Sequence, residues 1–192
     1  MTSKGAVDTA AAGLVAGTWT IDPAHTEVGF AIRHLMAKVR GAFNDVDGTI
    51  VVGETAEASK VSVEIQASSV DTRNEQRDGH LRSAEILDVE KYPVLTFTST
   101  GLRRDGDDYV LDGDLTVTDV TRSVSLAVEF NGTGIDPWGG LRAGFSATTS
   151  ISRKDYGVDF NIPLPGGDKS LLGDKVEITI EVEAVLQQDE QA

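Results

Sequence analysis

Regular alternation of apolar and polar residues is the feature that most limits what this chain can fold into. It is clearest near the C-terminus, where every second residue from Val176 to Leu186 is apolar and the residues between them are mostly Glu or Thr. Successive side chains of a β-strand point to opposite faces, so a period of two indicates a strand with one buried face. This segment is therefore predicted to be a long strand that borders the core.

The same period of two recurs in six further segments: Val28–His34, Val61–Ile65, Leu95–Phe97, Leu111–Val117, Val124–Phe130 and Ala143–Ile151. A shorter segment, Thr49–Val52, is predicted to be a strand between turns. Between them lie glycine-containing groups that we interpret as turns or loops: Asp47-Gly48, Asp105-Gly106, Asn131-Gly132 and Trp138-Gly139-Gly140. The chain is thus predicted to be all-β, with about eight strands joined by short links. A closed barrel and a sandwich both hide strand edges, and the pattern does not choose between them.

Residues 69–92 interrupt this pattern. Their polar and charged residues lack the period of two, and Asn74–Ser83 suits one or two short helices. No internal repeat or low-complexity linker divides the chain. A single domain over residues 17–188 is expected, preceded by a flexible lead at residues 1–16.

Composition excludes several functional classes. The chain has 17 basic and 31 acidic residues, a formal net charge of −14, and no cluster of Lys or Arg that would track nucleic-acid phosphates. The same acidity disfavours stable charge-driven docking on an anionic membrane. With no cysteine, disulfides, thiol catalysis and zinc–thiolate sites are excluded. No stretch is apolar enough for stable membrane insertion, and no export signal is seen, so a cytoplasmic location is expected.

Blocks of sequence spread over most of the chain resemble those of the YceI-like family. They are Trp19–Phe30, Arg33–Leu35, Val39–Phe43, Gly48–Ile50, Asp71–Leu81, Lys91–Phe97 and Leu111–Thr121. The resemblance implies a single eight-stranded antiparallel lipocalin-like β-barrel. It also implies an elongated interior that holds a polyisoprenoid, an isoprenoid quinone, or a fatty acid or amide. It implies no reaction, so the protein is not expected to be an enzyme.

The resemblance and the alternation together select candidate ligand-binding residues. They are Phe30, Ile32, His34, Phe43, Arg77, His80, Leu81, Leu87, Phe97, Leu115, Phe130, Phe145 and Phe160. The apolar members would hold the tail of the ligand, and His34, Arg77 or His80 would lie near its polar end. For the phenylalanines, a sealed core is the competing interpretation. Where many relatives carry two aromatic residues, this chain has Ile86 and Leu87, which reduces the aromatic lining there.

The polar residues permit other interpretations that we weighed against ligand binding. His25, His34 and His80 could in principle hold a zinc ion, but their spacing is no metal signature, and structural hydrogen bonding is favoured. We therefore expect no metal, no cofactor and no catalytic residue. Arg77 is expected to pair with Asp71 or Glu75 more readily than with a ligand head group. The loop at residues 161–170, with two prolines and a glycine pair, is a candidate flap over the mouth of the barrel.

Two functions from different classes remain open at this stage. The first is a carrier, sequestrant or sensor of a long apolar ligand. The second is a stress-response or protein-interaction module whose barrel is filled by its own side chains. A homodimer is possible in either case and would form through a face or a loop, because barrel strands leave little free edge.

Overall fold

The structure is a computed structural model that describes residues 13–188. Within them the chain forms eleven strands and one α-helix, α1 (Glu75–Arg82). The strands are β1 (Gly17–Ile21), β2 (Glu27–His34), β3 (Ala37–Phe43), β4 (Val46–Val52), β5 (Lys60–Gln66), β6 (Val70–Asp71), β7 (Val94–Asp105), β8 (Asp108–Val117), β9 (Val120–Ile135), β10 (Leu141–Ser152) and β11 (Leu172–Leu186). No helix in this part of the chain is both long and apolar enough to span a bilayer.

The eleven strands follow eight paths around one closed barrel. β1 and β2 lie end to end along β11, β3 and β4 lie along β2 and β1, and β5 and β6 lie along β4 and β3. Each of the other five strands is a path of its own, and neighbouring paths are antiparallel. Because β11 pairs with β10 on one side and with β1 and β2 on the other, the sheet closes on itself. The predicted eight-stranded antiparallel barrel is confirmed.

Two of the three paths that contain two strands bend at short helical turns. Between β1 and β2, a turn at Pro23–His25 is capped by Asp22, whose side chain accepts a hydrogen bond from the backbone of Ala24. Proline has no backbone N–H, so it cannot continue the ladder at this point. A second turn at Ala67–Ser69 separates β5 from β6. These breaks let long strands wrap a narrow barrel.

Antiparallel order places the connections alternately at two ends of the barrel. One end, which we call the helix end, carries the β2–β3 turn, α1 and residues 153–171. The opposite end, which we call the hairpin end, carries the β7–β8 and β9–β10 turns. Each of the eight segments that the sequence predicts as strands lies on a different path of the barrel.

Two of the predicted turns are wrong. Asp47-Gly48 lies inside β4 and Asn131-Gly132 lies inside β9. Gly48 is needed for a close approach of strands, because a Cβ at this position would lie 2.5 Å from the carbonyl oxygen of Ser62 on β5. Gly132 has φ +108° and lies beside a register shift between β9 and β10, which is the geometry of a β-bulge. The chain reverses later, in the loop after Ile135.

Three strands, β1, β3 and β6, were not predicted by the alternation. In β3 the inward positions are held by Val39, Gly41 and Phe43, and the glycine breaks the apolar pattern. A Cβ at Gly41 would collide with the ring of Phe30, its partner on β2. The ring of Phe30 therefore occupies the space that a side chain at position 41 would fill.

The helix α1 confirms the predicted helical segment and lies across one end of the barrel. Asn74 caps its first turn by accepting a hydrogen bond of 2.9 Å from the backbone N–H of Arg77. Near its other end, Arg82 donates to the backbone carbonyls of Ser68 and Val70, at 2.9 and 3.0 Å. These bonds tie the helix to the connection between β5 and β6.

At the hairpin end the fold is closed by a tryptophan and the chain before β1. Trp19 is fully buried, packs with Val52, Ala143 and Ala184, and donates its indole N–H to the carbonyl of Val15 at 3.0 Å. Leu14 packs against the same cluster. Residues 1–12 of the predicted flexible lead lie outside the described residues.

An ion-pair network ties β1, β10 and β11 together near the same end. Arg142 donates to Asp22 and Glu183 at 2.7 Å and to Asp136 at 2.8 Å. The hydrogen bond from Arg142, followed by that from His25, lowers the pKa of Asp22 from 3.8 to about 2. A carboxyl whose pKa is lower in the folded state stabilises the fold above its ordinary pKa, and this contribution disappears as the pH falls through the lowered value.

We therefore expect Asp22→Asn to be less stable than the wild type at neutral pH. Between pH 3.8 and about 2 its free energy of unfolding should fall less than that of the wild type, because the titrating partner of Arg142 is gone. Urea unfolding at stepped pH measures both effects. Asp107→Asn, at a fully exposed carboxylate, is the matched control and should keep the wild-type pH profile. A parallel fall for Asp22→Asn and the wild type would contradict the assignment.

Candidate functional site

The interior of the barrel contains an elongated cavity of about 500 Å³. Its wall consists almost entirely of apolar side chains from the inward positions of the strands. Many of these residues, such as Val28, Ile178 and Ile180, are only half-buried although they point inward. Since a filled core would bury them completely, their exposure indicates that side chains leave the middle of the barrel open.

Two glycines help to keep the centre open. Added Cβ atoms at Gly41 and Gly113 would collide with the rings of Phe30 and Phe97 respectively. Each ring therefore lies against the backbone of a neighbouring strand instead of crossing the barrel. The aromatic residues line the wall and leave a channel beside them.

Twelve of the thirteen residues predicted to bind ligand line this cavity. They are Phe30, Ile32, Phe43, Arg77, His80, Leu81, Leu87, Phe97, Leu115, Phe130, Phe145 and Phe160. His34, the last residue of β2, does not line it, although its partner Leu172 on β11 does. Ligand contact by these residues stays a prediction.

The sequence selection missed most of the aliphatic wall. Val61, Val63, Ile178, Ile180 and Val182 line the cavity as fully as the phenylalanines do. The alternation of β5 and β11 already placed these residues on the inner face. The preference for aromatic residues was the reason for the omission.

Polar groups in the cavity wall are concentrated at the helix end. Thr72, Arg77, His80, Arg153 and Tyr156 all line this part of the cavity. The rest of the wall has no charged side chain and offers four hydroxyl groups, those of Thr26, Ser59, Tyr109 and Thr149. A ligand with one polar end and a long apolar tail would match this distribution, with its polar end at the helix end.

Arg77 does not form the predicted ion pair with Asp71 or Glu75. Its Nε donates to the hydroxyl of Thr72 at 2.7 Å, and its Nη2 donates to the carbonyl of the same residue at 2.9 Å. Asp71 instead accepts from the backbone N–H of Arg73 at 2.8 Å. Among residues 13–188, no carboxylate lies within ion-pair distance of Arg77. The cavity is therefore bordered by a guanidinium whose charge is not neutralised by a direct partner.

Thr72 is fixed by a second residue of the helix. The buried carboxylate of Asp78 accepts from the backbone N–H of Thr72 at 2.9 Å and also from its hydroxyl. The threonine hydroxyl thus donates to Asp78 and accepts from Arg77. This chain of hydrogen bonds orients the guanidinium, so that its position does not depend on a flexible side chain alone.

His80 faces two environments. Its ring lies edge-on against Phe160, with 4.6 Å between ring centroids, while its Nε2 lies 2.6 Å from a carboxylate oxygen of Glu85. The ring thus contributes apolar contact to the cavity wall, and the nitrogen is engaged outside it. The structure favours the packing role of His80 over direct contact of this nitrogen with a ligand.

Arg153 organises the segment that closes the other side of the helix end. This arginine is only 6% exposed and donates to the carbonyls of Val158, Phe160 and Gly173 at 2.7, 2.8 and 2.9 Å. Its guanidinium therefore holds the chain after β10 against the start of β11.

The candidate flap, residues 161–170, forms a small hairpin at the helix end. Leu164 and Lys169 are joined by a backbone hydrogen bond of 2.8 Å, and the side chain of Asn161 accepts from the backbone N–H of Leu172 at 2.9 Å. Phe160 and Leu171, on either side of this hairpin, both line the cavity. The hairpin is well placed to cover the cavity, and its movement stays a prediction.

Tyr156 is the least satisfied polar group of the wall. It is 2% exposed, and its hydroxyl has no hydrogen-bond partner among the described residues. Burial raises the pKa of this phenol, so the hydroxyl stays protonated and uncharged at neutral pH.

The structure does not bring His25, His34 and His80 together. One group of possible metal ligands occurs within residues 13–188, and it consists of Asp22, His25 and Glu183. Arg142 already donates to both carboxylates of this group. Hydrogen bonding within the fold accounts for this cluster.

Comparison with known protein sequences identifies close relatives. A sequence profile of the YceI-like domain matches residues 19–184. Protein YceI of Escherichia coli O17:K52:H18 is 45% identical over 177 residues, which cover 90% of this chain and 89% of that protein. A UPF0312 protein of Pectobacterium atrosepticum is 46% identical over 165 residues, covering 85% of this chain and 82% of that protein.

Solved structures share the barrel. A YceI protein of Campylobacter jejuni superposes with a TM-score of 0.69 at 29% identity, over 81% of this chain and 90% of that one. BcnA of Burkholderia cenocepacia gives 0.74 at 19% identity, over 85% and 98% of the two chains. A polyisoprenoid binding domain from Saccharophagus degradans gives 0.66 at 15% identity, over 88% and 98%. The chain therefore belongs to the YceI-like family.

Proposed function

We propose that this protein binds one long apolar molecule inside the barrel and acts as its carrier, sequestrant or sensor. The ligand would be a polyisoprenoid, an isoprenoid quinone, or a fatty acid or amide. The observation that carries the proposal is the open cavity of about 500 Å³ with an apolar wall and polar groups at one end. The polyisoprenoid binding of the Saccharophagus degradans neighbour supports the same class of ligand.

The size of the cavity sets the size of the ligand. If each methylene takes about the volume of a liquid water molecule, roughly 30 Å³, the cavity of about 500 Å³ admits fifteen to twenty such groups. Each buried methylene contributes about 0.8 kcal/mol, so such a chain gains more than about 10 kcal/mol before ordering costs are subtracted. Burial of the tail is therefore the main favourable contribution to binding.

The alternative, a filled barrel with a purely protein-interaction role, is opposed by the same cavity. A filled barrel would bury the inward side chains of β2 and β11, and these are half-exposed to the interior. A non-catalytic role is proposed because the charged groups Arg77 and Arg153 of the wall are held by hydrogen bonds to other side chains or to the backbone. Thr72, Arg77 and Asp78 form one such set, and Arg153 with backbone carbonyls forms another.

Native mass spectrometry of protein purified from its own cells tests the proposal directly. We expect one added mass per chain, and organic extraction should release a prenyl or acyl lipid of corresponding mass. Protein that is free of lipid and also fails to bind quinones, polyprenols and fatty acids in titrations would overturn the proposal. The filled-barrel interpretation would then be preferred.

A cavity-blocking variant locates the binding site. Ile180→Trp places a large ring in the middle of the channel and should weaken binding of a long-chain ligand by at least about tenfold, because roughly two or more methylenes lose their place. Titration with a fluorescent fatty acid measures the affinity. Thr179→Trp is the matched control, since Thr179 is the exposed neighbour of Ile180 and points outward. Equal affinities of the two variants would place the ligand outside the barrel.

Arg77→Ala tests the polar end of the site. We expect affinity for a fatty acid to fall about tenfold or more, the range for a hydrogen bond to a charged group, while affinity for a hydrocarbon of equal length stays unchanged. Competition titrations with the two ligands measure the difference. Arg73→Ala removes an exposed arginine outside the cavity and is the control. An equal loss for both ligands would mean that Arg77 only supports the fold.

A further inference from the structure

The turn between β2 and β3 exposes two large apolar side chains. Leu35 and Met36 form its tip, between the paired residues His34 and Ala37, and they are 40% and 100% exposed. Leu35 adopts φ +53°, a conformation that two-residue hairpin turns usually assign to Gly, Asn or Asp. A leucine in this strained position, followed by a fully exposed methionine, gains nothing for the fold.

A third exposed apolar residue lies close to this turn. The backbone N–H of Leu35 donates to the carbonyl of Leu171 at 2.9 Å, and the N–H of Leu171 donates to the carbonyl of Ile162 at 2.8 Å. Ile162 is 48% exposed. We call Leu35, Met36 and Ile162 the apolar tip.

The outer face of the adjoining strands is basic. The segment from Arg33 to Arg40 contains three basic residues and no acidic one, in a chain whose net charge is −14. Arg33 and Lys38 are cross-strand partners, and Arg40 follows on the same face. Two acidic residues adjoin this face: Glu177 pairs with Lys38 at 2.6 Å, and Asp71 lies opposite Ala42, but neither forms an ion pair with Arg33 or Arg40. Arg33 and Arg40 therefore keep a positive charge beside the apolar tip.

The tip is continuous with the cavity. Ile32 and Phe160 line the cavity and lie within three residues of Leu35 and Ile162 respectively. Leu171 also lines the cavity and is joined to Leu35 and Ile162 by backbone hydrogen bonds. A molecule that leaves the cavity past these residues meets the tip before it meets bulk water.

We propose that the apolar tip docks transiently on the surface of an anionic lipid bilayer. Exposed apolar side chains beside basic residues are the combination that such surfaces attract, through apolar burial and electrostatic attraction together. The net charge of −14 disfavours docking through most of the surface. Because an anionic membrane repels the acidic surface and attracts the basic face, the molecule would approach with the basic face toward the membrane. Delivery of ligand through this contact rests on the proposed function, whereas docking itself does not.

The hairpin end is the competing surface, because Ile135 and Trp138 are 77% and 86% exposed there. Its charges oppose an anionic membrane. The arginines of this end are all paired with carboxylates: Arg142 with Asp22, Asp136 and Glu183, Arg103 with Asp112, and Arg104 with Asp107. Charge complementarity therefore selects the tip of the helix end.

Co-sedimentation with vesicles tests the proposal on the full chain without ligand. Vesicles of phosphatidylcholine with phosphatidylglycerol should bind the wild type, and binding should weaken with salt. Met36→Glu should lower the vesicle-bound fraction about tenfold, since it replaces an apolar contact by a repelled charge. Trp138→Glu, an equally exposed site at the opposite end, should bind like the wild type. Both positions are exposed, so neither substitution disturbs the core.

Three outcomes would overturn the proposal: no binding of the wild type at low salt, equal binding of Met36→Glu and the wild type, or loss of binding in Trp138→Glu. A change of mass in light scattering for Met36→Glu, with vesicle binding retained, would identify the tip as a subunit contact and would also overturn it. Fatty-acid titration in solution keeps the two proposals separate. Vesicle binding by a protein that binds no fatty acid would leave docking intact and remove the proposed function.

Discussion

Closure of the sheet through β11 is the constraint on which the rest of the structure depends. β11 pairs with β10 along one side and with β2 and β1 along the other, so the backbone hydrogen bonds of eight paths are satisfied around one ring. An interior bounded in this way needs no polar groups to complete the backbone. The wall can therefore be apolar without being filled, which a sandwich, whose two inner faces must interdigitate, does not allow.

The packing divides the barrel into sealed parts and an open channel. Three buried clusters surround Trp19, Tyr156 and Phe97. Val28, Ile178 and Ile180 remain half-exposed to the cavity, although Val28 and Ile180 pack against two of these clusters. Phe30 and Phe97 lie against glycines and add area to the wall without blocking it. Burial of apolar side chains thus stabilises the fold mainly through these clusters. The side chains along the channel would become fully buried only by contact with a ligand.

The fold was predictable because its main signal is local. The predicted segments included one on every path, and the predicted helical segment began at Asn74, which caps α1. The errors came from glycines, since Gly48 and Gly132 serve strand contact and a bulge rather than turns. Within the site, the alternation predicted which side chains point inward, but it did not predict their hydrogen-bond partners. That Arg77 bonds to Thr72 and lacks a carboxylate depends on how α1 crosses the barrel end, which no local pattern encodes.

The two ends of the barrel differ in charge, and this difference links ligand binding inside the barrel to the proposed exchange of ligand at a membrane. At the hairpin end, carboxylates surround Arg142 and the indole of Trp19 is sealed against the chain before β1. At the helix end, the guanidinium of Arg77 lacks a direct counter-charge, and the outer face of β2 and β3 is basic. A negatively charged membrane would repel the first end and attract the second, so the field of the whole molecule would orient it before contact. The end that approaches is the one where the polar groups of the cavity lie.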